Sequence, residues 1–260
     1  MSYCYDDLAQ MIDHALLHPM LTDAELEQGC RMAEAYRVAS VCVKPYFVRR
    51  AAELLAGSDV RVGTVIGFPH GSSPTEVKRF ETEFACREGA VEVDMVINVG
   101  KALSGDWEYV RREIRVVCDE AHRQEAKVKV ILETDFLAAG GGELSAEELK
   151  IKLCQLAKEA GADWVKTSTG FGFVQQDDGT FQTEGATDDD LTLMRQACSP
   201  QVQVKASGGI RSLDELIRVR ELGATRCGAS ATQAILDECR AIELGQRGLV
   251  PGEQIGPSVY

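Results

Sequence analysis

Residues 162–170 read ADWVKTSTG and place a lysine inside a short apolar run, directly before a turn of small hydroxyl residues and glycine. Residues 164–166 have the character of a buried strand end, and residues 167–170 that of the loop that leaves it. Burial of an unpaired ammonium is costly, so Lys166 must be paired, deprotonated or used in chemistry. For an arbitrary strand-end lysine, the alternative is a side chain that extends its ammonium to the surface.

The same strand-and-loop unit recurs along the whole chain, because short apolar runs alternate with amphipathic helical stretches and no linker interrupts them. The predicted strands lie at residues 11–16, 38–43, 60–68, 90–97, 128–133, 164–166, 202–206 and 226–229. Most of these runs have apolar residues at both odd and even positions, as in parallel strands that are buried on both faces. Eight such units in 260 residues predict an α/β fold, a single (β/α)8 TIM barrel over residues 1–260. We expect an extra N-terminal helix and a flexible C-terminal tail at 247–260.

The amino-acid composition argues against several classes of binding partner. The formal net charge of −13 argues against nucleic acid and against an anionic membrane surface. The N-terminal MSYCYDDLAQ has neither a basic region nor an apolar run, and no stretch of the chain is apolar for long enough to span a membrane. The nine cysteines form neither a CxxC pair nor a Cys/His cluster, so we expect free thiols in the cytoplasm, no metal site and no cofactor.

Three charged residues lie where a barrel of this kind carries its catalytic groups, at the carboxyl ends of the strands. Asp94 is in the fourth strand, Lys166 ends the sixth and Lys205 ends the seventh. The strand period of two places Glu92 and Asp94 on one face, and the apolar residues between them must pack on helices. The acidic face therefore points into the barrel, and the same reasoning turns Lys205 inward. We expect the two lysines and Asp94 to converge where there is little water.

This combination suits catalysis by an amine nucleophile. A lysine with an ordinary pKa is almost wholly protonated at neutral pH and cannot attack a carbonyl. Burial and a neighbouring ammonium both lower the pKa, so Lys205 would favour the neutral amine of Lys166. Asp94 can accept or relay a proton. A buried Lys-Asp-Lys ion network without catalytic function is the alternative.

Two glycine-rich loops suggest a phosphate site. Residues 207–209 (SGG) leave the seventh predicted strand, and residues 228–230 (GAS) leave the eighth and open the last helix. The loops after strands seven and eight, with a helix N-terminus nearby, are the usual phosphate position in these barrels. Each cluster alone is weak support, because tight turns after strands use glycine anyway.

The motifs IDHALL, VKTSTGFG, VKASGGIR and GAS, taken in this order with Asp94, resemble those of deoxyribose-phosphate aldolases. The resemblance runs from the IDHALL motif to about residue 231. It implies a class I aldolase that reversibly cleaves 2-deoxyribose 5-phosphate into glyceraldehyde 3-phosphate and acetaldehyde. It also implies that Lys166 is the Schiff-base lysine, that Lys205 depresses its pKa and that Asp94 takes part in proton transfer.

The same resemblance assigns the substrate contacts. The positions that match the family's phosphate side are Gly170, Gly208, Gly209, Gly228 and Ser230. Cys42 matches a cysteine near the substrate, although a buried core thiol is the alternative reading. The expected partners are small molecules, a phosphorylated sugar and aldehydes, and the chain is expected to form a homo-oligomer, either a dimer or a tetramer. Another lysine-dependent barrel aldolase, or a non-catalytic barrel that binds sugar phosphates, remains open as an alternative function.

Two segments depart from the family pattern or lie beyond it. Residues 174–185 (VQQDDGTFQTEG) stand where a shorter glycine-rich loop is usual, and Asp177, Asp178 and Gly179 predict a small hairpin there. We expect this hairpin to cover the mouth of the barrel or to contact another subunit. The tail is long enough to fold back over the mouth, where Tyr260 would relay a proton to or from the enamine carbon. A tail without function is the alternative.

Overall fold

The computed structural model describes residues 3–245 apart from 139, 142, 177 and 199. The strands are β1 (Ile12–Leu16), β2 (Ser40–Val43), β3 (Arg61–Ile66), β4 (Glu92–Val96), β5 (Lys127–Ile131), β6 (Trp164–Lys166), β7 (Val174–Gln175), β8 (Phe181–Gln182), β9 (Gln203–Ser207) and β10 (Arg226–Ala229). All except β7 and β8 are parallel and close into a barrel in the order β1-β10-β9-β6-β5-β4-β3-β2. The predicted eight-stranded barrel is confirmed.

Helices surround the barrel. They are α1 (Tyr5–Ala9), α2 (Asp23–Tyr36), α3 (Val48–Leu54), α4 (Thr75–Arg87), α5 (Val99–Leu103), α6 (Trp107–Arg123), α7 (Ala146–Ala160), α8 (Asp188–Cys198), α9 (Leu213–Glu221) and α10 (Thr232–Glu243). The helix α1 is the predicted extra N-terminal helix. No helix in the described part of the chain is long and apolar enough to cross a membrane.

Local sequence signals determine where several helices begin. Thr22 caps α2 and forms the predicted capping box with Glu25, whose carboxylate accepts a hydrogen bond from the Thr22 N–H at 2.7 Å. Ser145 and Ser212 cap α7 and α9 in the same way. These caps satisfy N–H groups that a helix start would otherwise leave unpaired. These three helices therefore begin at residues that the local sequence determines.

Strand parity separates an apolar layer from a charged interior. In β4, Val93 and Met95 are fully buried in the shell between strands and helices. Glu92 and Asp94 alternate with them and are also buried, and both contact charged groups of other strands inside the barrel. The predicted inward orientation of the acidic face is therefore confirmed.

The structure differs from the sequence-based expectation in several short elements. α5 and two 3-10 turns, Pro45–Phe47 and Thr134–Leu137, were not predicted, because three to five residues are too few to show helical periodicity. The predicted hairpin is present as β7 and β8, which pair antiparallel through Val174 and Gln182. Its Asp177 lies outside the described residues. The tail at 247–260, with Tyr260, also lies outside them, so both its flexibility and the proton relay remain predictions.

Candidate active site

Asp94 lies at the centre of the charged interior and joins the two predicted lysines. The Nζ atoms of Lys166 and Lys205 lie 3.0 and 2.7 Å from the same oxygen, Asp94 Oδ2. A third lysine, Lys129, donates to Asp94 Oδ1 at 2.9 Å. Lys166 is 2% exposed and Lys205 is 1% exposed, so neither ammonium reaches the surface. The predicted convergence is confirmed, and it includes one more lysine than expected.

Further ion pairs extend from this centre across the barrel. Lys205 donates to Asp13 Oδ2 at 2.6 Å, and Lys129 donates to Glu92 Oε2 at 2.6 Å. The guanidinium of Arg226 bridges Asp13 and Glu92. Every charged group in this set therefore meets a group of opposite charge, as burial requires.

The pKa values follow from burial and from these contacts. Burial lowers the pKa of Lys166, and the charge of Lys205 adds to this effect, while Asp94 opposes it. Burial would also lower the pKa of Lys205, but Asp13 and Asp94 outweigh it and raise that pKa. The same balance raises the pKa of Lys129. Among these three lysines, Lys166 therefore loses its proton most easily. Attack on a carbonyl requires such a neutral amine.

Cys42 lies on β2 with its thiol in the barrel interior. The next residue of the same parity, Ser40, donates from its hydroxyl to Asp13 at 2.7 Å, so both side chains of β2 face inward. Burial, with a smaller effect of Asp94, raises the pKa of the Cys42 thiol to about 11. A protonated thiol at this position is a polar group of the site wall rather than a nucleophile.

Three of the four glycines predicted to hold phosphate lie in loops at the carboxyl ends of the strands. Gly170, Gly208 and Gly209 have φ values of 84°, 97° and 80°, a left-handed region that favours glycine. A Cβ atom on Gly208 would lie 2.7 Å from the Cα atom of Gly185, so the two backbones touch. The end of the inserted segment is thus in direct contact with the loop after β9.

Gly228 and Ser230 lie at the end of β10 and beyond it. A Cβ atom on Gly228 would lie 2.9 Å from Ser207 Oγ and 3.4 Å from Lys205 Cε, so glycine leaves room for the lysine side chain. Ser230 is exposed and precedes Ala231, the N-cap of α10. The N-cap of α10, Ala231, provides no side-chain hydrogen bond. The helix therefore begins with N–H groups available to an anion.

A second buried carboxylate supports the loop after β6. Glu133 has a left-handed backbone with φ of 57°, and its carboxylate accepts hydrogen bonds from the N–H and hydroxyl of Thr169 at 3.0 and 2.5 Å. Burial raises the pKa of Glu133. Nearby, Asp135 accepts hydrogen bonds from the Thr183 hydroxyl and the N–H groups of residues 184 and 185, at 2.9, 2.9 and 3.1 Å. These contacts fix the loop before the inserted segment, at Thr169, and the C-terminal end of the segment, at residues 183–185, to the catalytic face.

The sequence-based prediction did not include several residues that complete the site. They are Asp13, Lys129, Glu133, Asp135 and Arg226. Parity could have indicated Lys129, which is the middle residue of the β5 run KVKVI, and Asp13, which lies inside the IDHALL motif. Nothing local indicates their partners, because these depend on the register between strands. No group of three or more His, Cys, Asp or Glu in the described ranges is placed to hold a metal ion.

Comparison with known proteins agrees with this geometry. Residues 8–238 match the sequence profile of the DeoC/LacD family aldolases. The chain is 48% identical over 238 residues to a deoxyribose-phosphate aldolase of Rhodopirellula baltica, covering 92% of this chain and 91% of that protein. It is 49% identical over 230 residues to one of Clostridium perfringens strain 13, covering 88% and 94%.

Solved structures give the same result. The deoxyribose phosphate aldolase of Aeropyrum pernix, described as having a unique tetrameric structure, superimposes with a TM-score of 0.79 at 30% identity over 93% of this chain and 94% of that one. An aldolase called QR15 gives a TM-score of 0.80 at 35% identity, over 92% and 98%. The chain therefore belongs to the DeoC/LacD family of aldolases. It is an enzyme, a lyase that acts on a carbon–carbon bond, and the predicted resemblance is confirmed.

Proposed function

We propose that the enzyme reversibly cleaves 2-deoxy-D-ribose 5-phosphate to D-glyceraldehyde 3-phosphate and acetaldehyde through a Schiff base on Lys166. One observation carries this proposal: the buried amine of Lys166, with its lowered pKa, lies 3.0 Å from Asp94 Oδ2, which also binds Lys205. A neutral amine, a carboxylate and an ammonium within hydrogen-bond distance supply the nucleophile and the proton carriers that imine chemistry needs. The names of the relatives support the choice of substrate.

In this mechanism the amine of Lys166 adds to the aldehyde carbon of the open-chain sugar, and loss of one water leaves a protonated imine. A base removes the proton of the hydroxyl on the third carbon, and the bond between the second and third carbons breaks. Its electron pair passes into the imine to form an enamine, and the third carbon leaves as the aldehyde of glyceraldehyde 3-phosphate. Protonation of the enamine carbon and addition of water release acetaldehyde and regenerate Lys166.

Asp94 and Lys205 are placed to move these protons. Asp94 Oδ2 lies between the two lysine Nζ atoms, so it can accept a proton from the carbinolamine or through an ordered water and pass it on. Lys205 is held protonated by Asp13 and Asp94, so it provides a proton donor beside a neutral amine. Cys42 forms part of the wall around this centre.

The phosphate is assigned to the loops after β9 and β10. The left-handed Gly208 and Gly209 let backbone N–H groups approach an anion closely, and the uncapped start of α10 adds further N–H groups beside the Ser230 hydroxyl. Gly170 in the loop after β6 and Gly228 near the end of β10 are the other two glycines assigned to the phosphate site. With a net charge of −13, the protein needs such a local site to hold an anionic substrate.

The test of this function is cleavage of 2-deoxyribose 5-phosphate, with both products measured. We expect equal amounts of acetaldehyde and glyceraldehyde 3-phosphate, no loss of rate with a chelator, and no cleavage by the Lys166→Met variant. Loss of activity to chelator with recovery on adding a divalent metal would contradict the proposal. Retained cleavage by Lys166→Met would contradict it as well. Cleavage of other phosphorylated aldols at much higher kcat/KM would favour a different acceptor within the same chemistry.

We also propose that the chain forms a homo-oligomer through the outer face of α4. Val77, Phe80 and Phe84 lie along this face and are 46%, 56% and 45% exposed. The first turn carries Glu76 and the last turn carries Arg87, so two copies of α4 packed antiparallel would place opposite charges beside each other. The tetrameric relative from A. pernix supports an oligomer of this chain.

Analytical ultracentrifugation tests the oligomer directly. The wild type is expected to sediment as a dimer or tetramer, and Phe80→Glu is expected to reduce its size. Leu244→Glu is a matched control, because Leu244 is a 71% exposed apolar residue on another helix end. A monomeric wild type would contradict an oligomer. An unchanged Phe80→Glu variant would contradict the assignment to α4.

A further inference from the structure

Arg226 has an unusual place for an arginine, inside the barrel, where its strand neighbour Lys205 stands between it and Lys166. It is 5% exposed, and its guanidinium carbon lies 5.4 Å from the centre of the Trp164 ring. Its nitrogen atoms donate to Asp13 and Glu92. Lys166, in contrast, is bonded to Asp94. Arg226 therefore acts on the amine of Lys166 only through other charged groups.

The charges of this cluster sum to zero without Lys166. Its carboxylates are Asp13, Glu92 and Asp94, and its other cations are Lys129, Lys205 and Arg226. Each of these cations contacts at least two of the carboxylates: Lys129 contacts Glu92 and Asp94, Lys205 contacts Asp13 and Asp94, and Arg226 contacts Asp13 and Glu92. A proton on Lys166 would add an unmatched positive charge to a dry interior, which is costly.

We propose that Arg226 is a positioning residue of the reaction: its positive charge, set against that of Glu92, brings the barrel cluster to a net charge of zero and so keeps the amine of Lys166 uncharged. Arg226 cancels the charge that Asp13 and Glu92 would otherwise leave in excess. If that positive charge were lost, the cheapest compensation would be a proton taken up by Lys166, because Lys129 and Lys205, the other amines bonded to Asp94, already carry theirs. This inference rests on the proposed imine at Lys166.

Other titratable groups lie near the cluster without altering its sum. The thiol of Cys42 on β2 faces the cluster, whereas Cys227 on β10 lies in the apolar layer on the other side of its strand. Burial raises the pKa values of these two thiols to about 11 and 12, so both are neutral. Glu133 lies beyond the end of β5, where Thr169 donates two hydrogen bonds to its carboxylate. Its neighbour in the loop, Asp135, is bonded by the inserted segment. Glu133 and Lys166 interact electrostatically, but neither Glu133 nor Asp135 belongs to the ion pairs of the cluster.

The test measures imine formation at Lys166 against pH, by trapping with acetaldehyde and cyanoborohydride and quantifying the ethyl group on the peptide that contains Lys166. The acid limb is the low-pH side of the curve of trapping against pH, where Lys166 becomes protonated. Arg226→Gln leaves one negative charge in excess, so the acid limb is expected to move to higher pH by about one unit or more. Glu92→Gln leaves one positive charge in excess, so the limb is expected to move to lower pH. The double variant restores a sum of zero and is expected to return the limb towards that of the wild type.

Two further variants separate charge balance from damage to the fold. Arg226→Lys keeps the positive charge but loses the two-pronged contact, so its limb is expected to stay close to the wild-type position. Glu113→Gln removes a charge from an equally buried pair outside the barrel, where Lys78 Nζ lies 2.6 Å from Glu113 Oε2. It is expected to lower stability without moving the limb.

The outcomes distinguish this inference from the function on which it rests. Trapping in the wild type with shifts of opposite sign in Arg226→Gln and Glu92→Gln supports the inference. Trapping in the wild type with shifts of the same sign, or with none, overturns the inference and leaves the proposed function standing. A shift in Arg226→Lys as large as that in Arg226→Gln also overturns it. Failure of the wild type to trap acetaldehyde at Lys166 overturns the proposed function.

Discussion

Lys166 and Lys205 share one oxygen atom, Asp94 Oδ2, at 3.0 and 2.7 Å, yet their pKa values move in opposite directions. The difference arises because Lys205 has a second carboxylate, Asp13, at 2.6 Å, whereas Lys166 is bonded to Asp94. Burial therefore prevails at Lys166 and carboxylate charge prevails at Lys205. Two lysines on different strands therefore meet at one aspartate with different roles: Lys166 is the nucleophile and Lys205 is the proton donor.

Removal of the charge of Lys205 tests this division. In Lys205→Leu, Asp94 loses a competing cation and Asp13 loses a partner, so the pKa of Lys166 is expected to rise. The acid limb of the pH–rate profile is then expected to move to higher pH, and turnover is expected to fall by roughly two to four orders of magnitude. Lys205→Arg, which keeps the charge, serves as the control. An acid limb that stays in place in Lys205→Leu would contradict the coupling.

Asp94→Asn separates imine formation from proton transfer. The substitution removes the acceptor between the two lysines but leaves the amine of Lys166 buried and uncharged. We expect trapping of acetaldehyde at Lys166 to persist, while multiple-turnover cleavage slows by roughly 10²- to 10⁴-fold. Single-turnover trapping and steady-state rates on the same sample measure the two steps. Equal loss of both would show that Asp94 is needed to build the site rather than to move protons.

The inserted segment is expected to act on the phosphorylated substrate. Gly185, at its end, touches Gly208 of the loop assigned to phosphate, and Asp135 holds residues 183–185 in place. Replacement of residues 174–182 by two glycines keeps this anchor and removes the hairpin. We expect KM for 2-deoxyribose 5-phosphate to rise more than KM for acetaldehyde in the reverse reaction. Equal effects on both constants, or none, would identify a surface hairpin without influence on the site.

A single substitution at the contact between Gly208 and Gly185 tests the role of the inserted segment more sharply. In Gly208→Ala, a Cβ atom would lie 2.7 Å from the Gly185 backbone at a φ of 97°, so we expect a loss of about 1–3 kcal/mol in the free energy of unfolding. KM for the phosphorylated sugar is expected to rise while trapping at Lys166 is unchanged. Gly161→Ala is the matched control, because Gly161 has a φ of 90° with nothing within 4 Å. Identical effects of both substitutions would rule out a special role for the contact.

Sequence patterns predicted the barrel because apolar residues repeat with a different period in strands and in helices. The residues that cap the helices also lie next to them in the sequence. The same parity argument placed Asp94, Lys166 and Lys205 inside, since residues that alternate with a buried apolar set must face the opposite side. The start of α2 at Thr22 could be predicted from one capping box. In each case the deciding interactions lie within a few residues of each other along the chain.

The remainder of the site depends on register, which no local pattern contains. Asp94 opposes Lys129 across β4 and β5, and Lys205 stands between Lys166 and Arg226 in the pairings of β9 with β6 and β10. A shift of one residue in either pairing would separate these charges. The ion pairs of Arg226 and the anchor of the inserted segment at Asp135 could therefore be found only in the folded barrel.

The most direct measurement is reduction with borohydride in the presence of acetaldehyde, followed by peptide mapping of the modified lysine. We expect irreversible inactivation and one ethyl group on Lys166, with Lys205 and Lys129 unmodified because their ammonium groups stay protonated. Chelator is expected to change neither the yield nor the site. An ethyl group found on surface lysines alone, or on Lys205 in place of Lys166, would contradict the central assignment of Lys166 as the Schiff-base lysine.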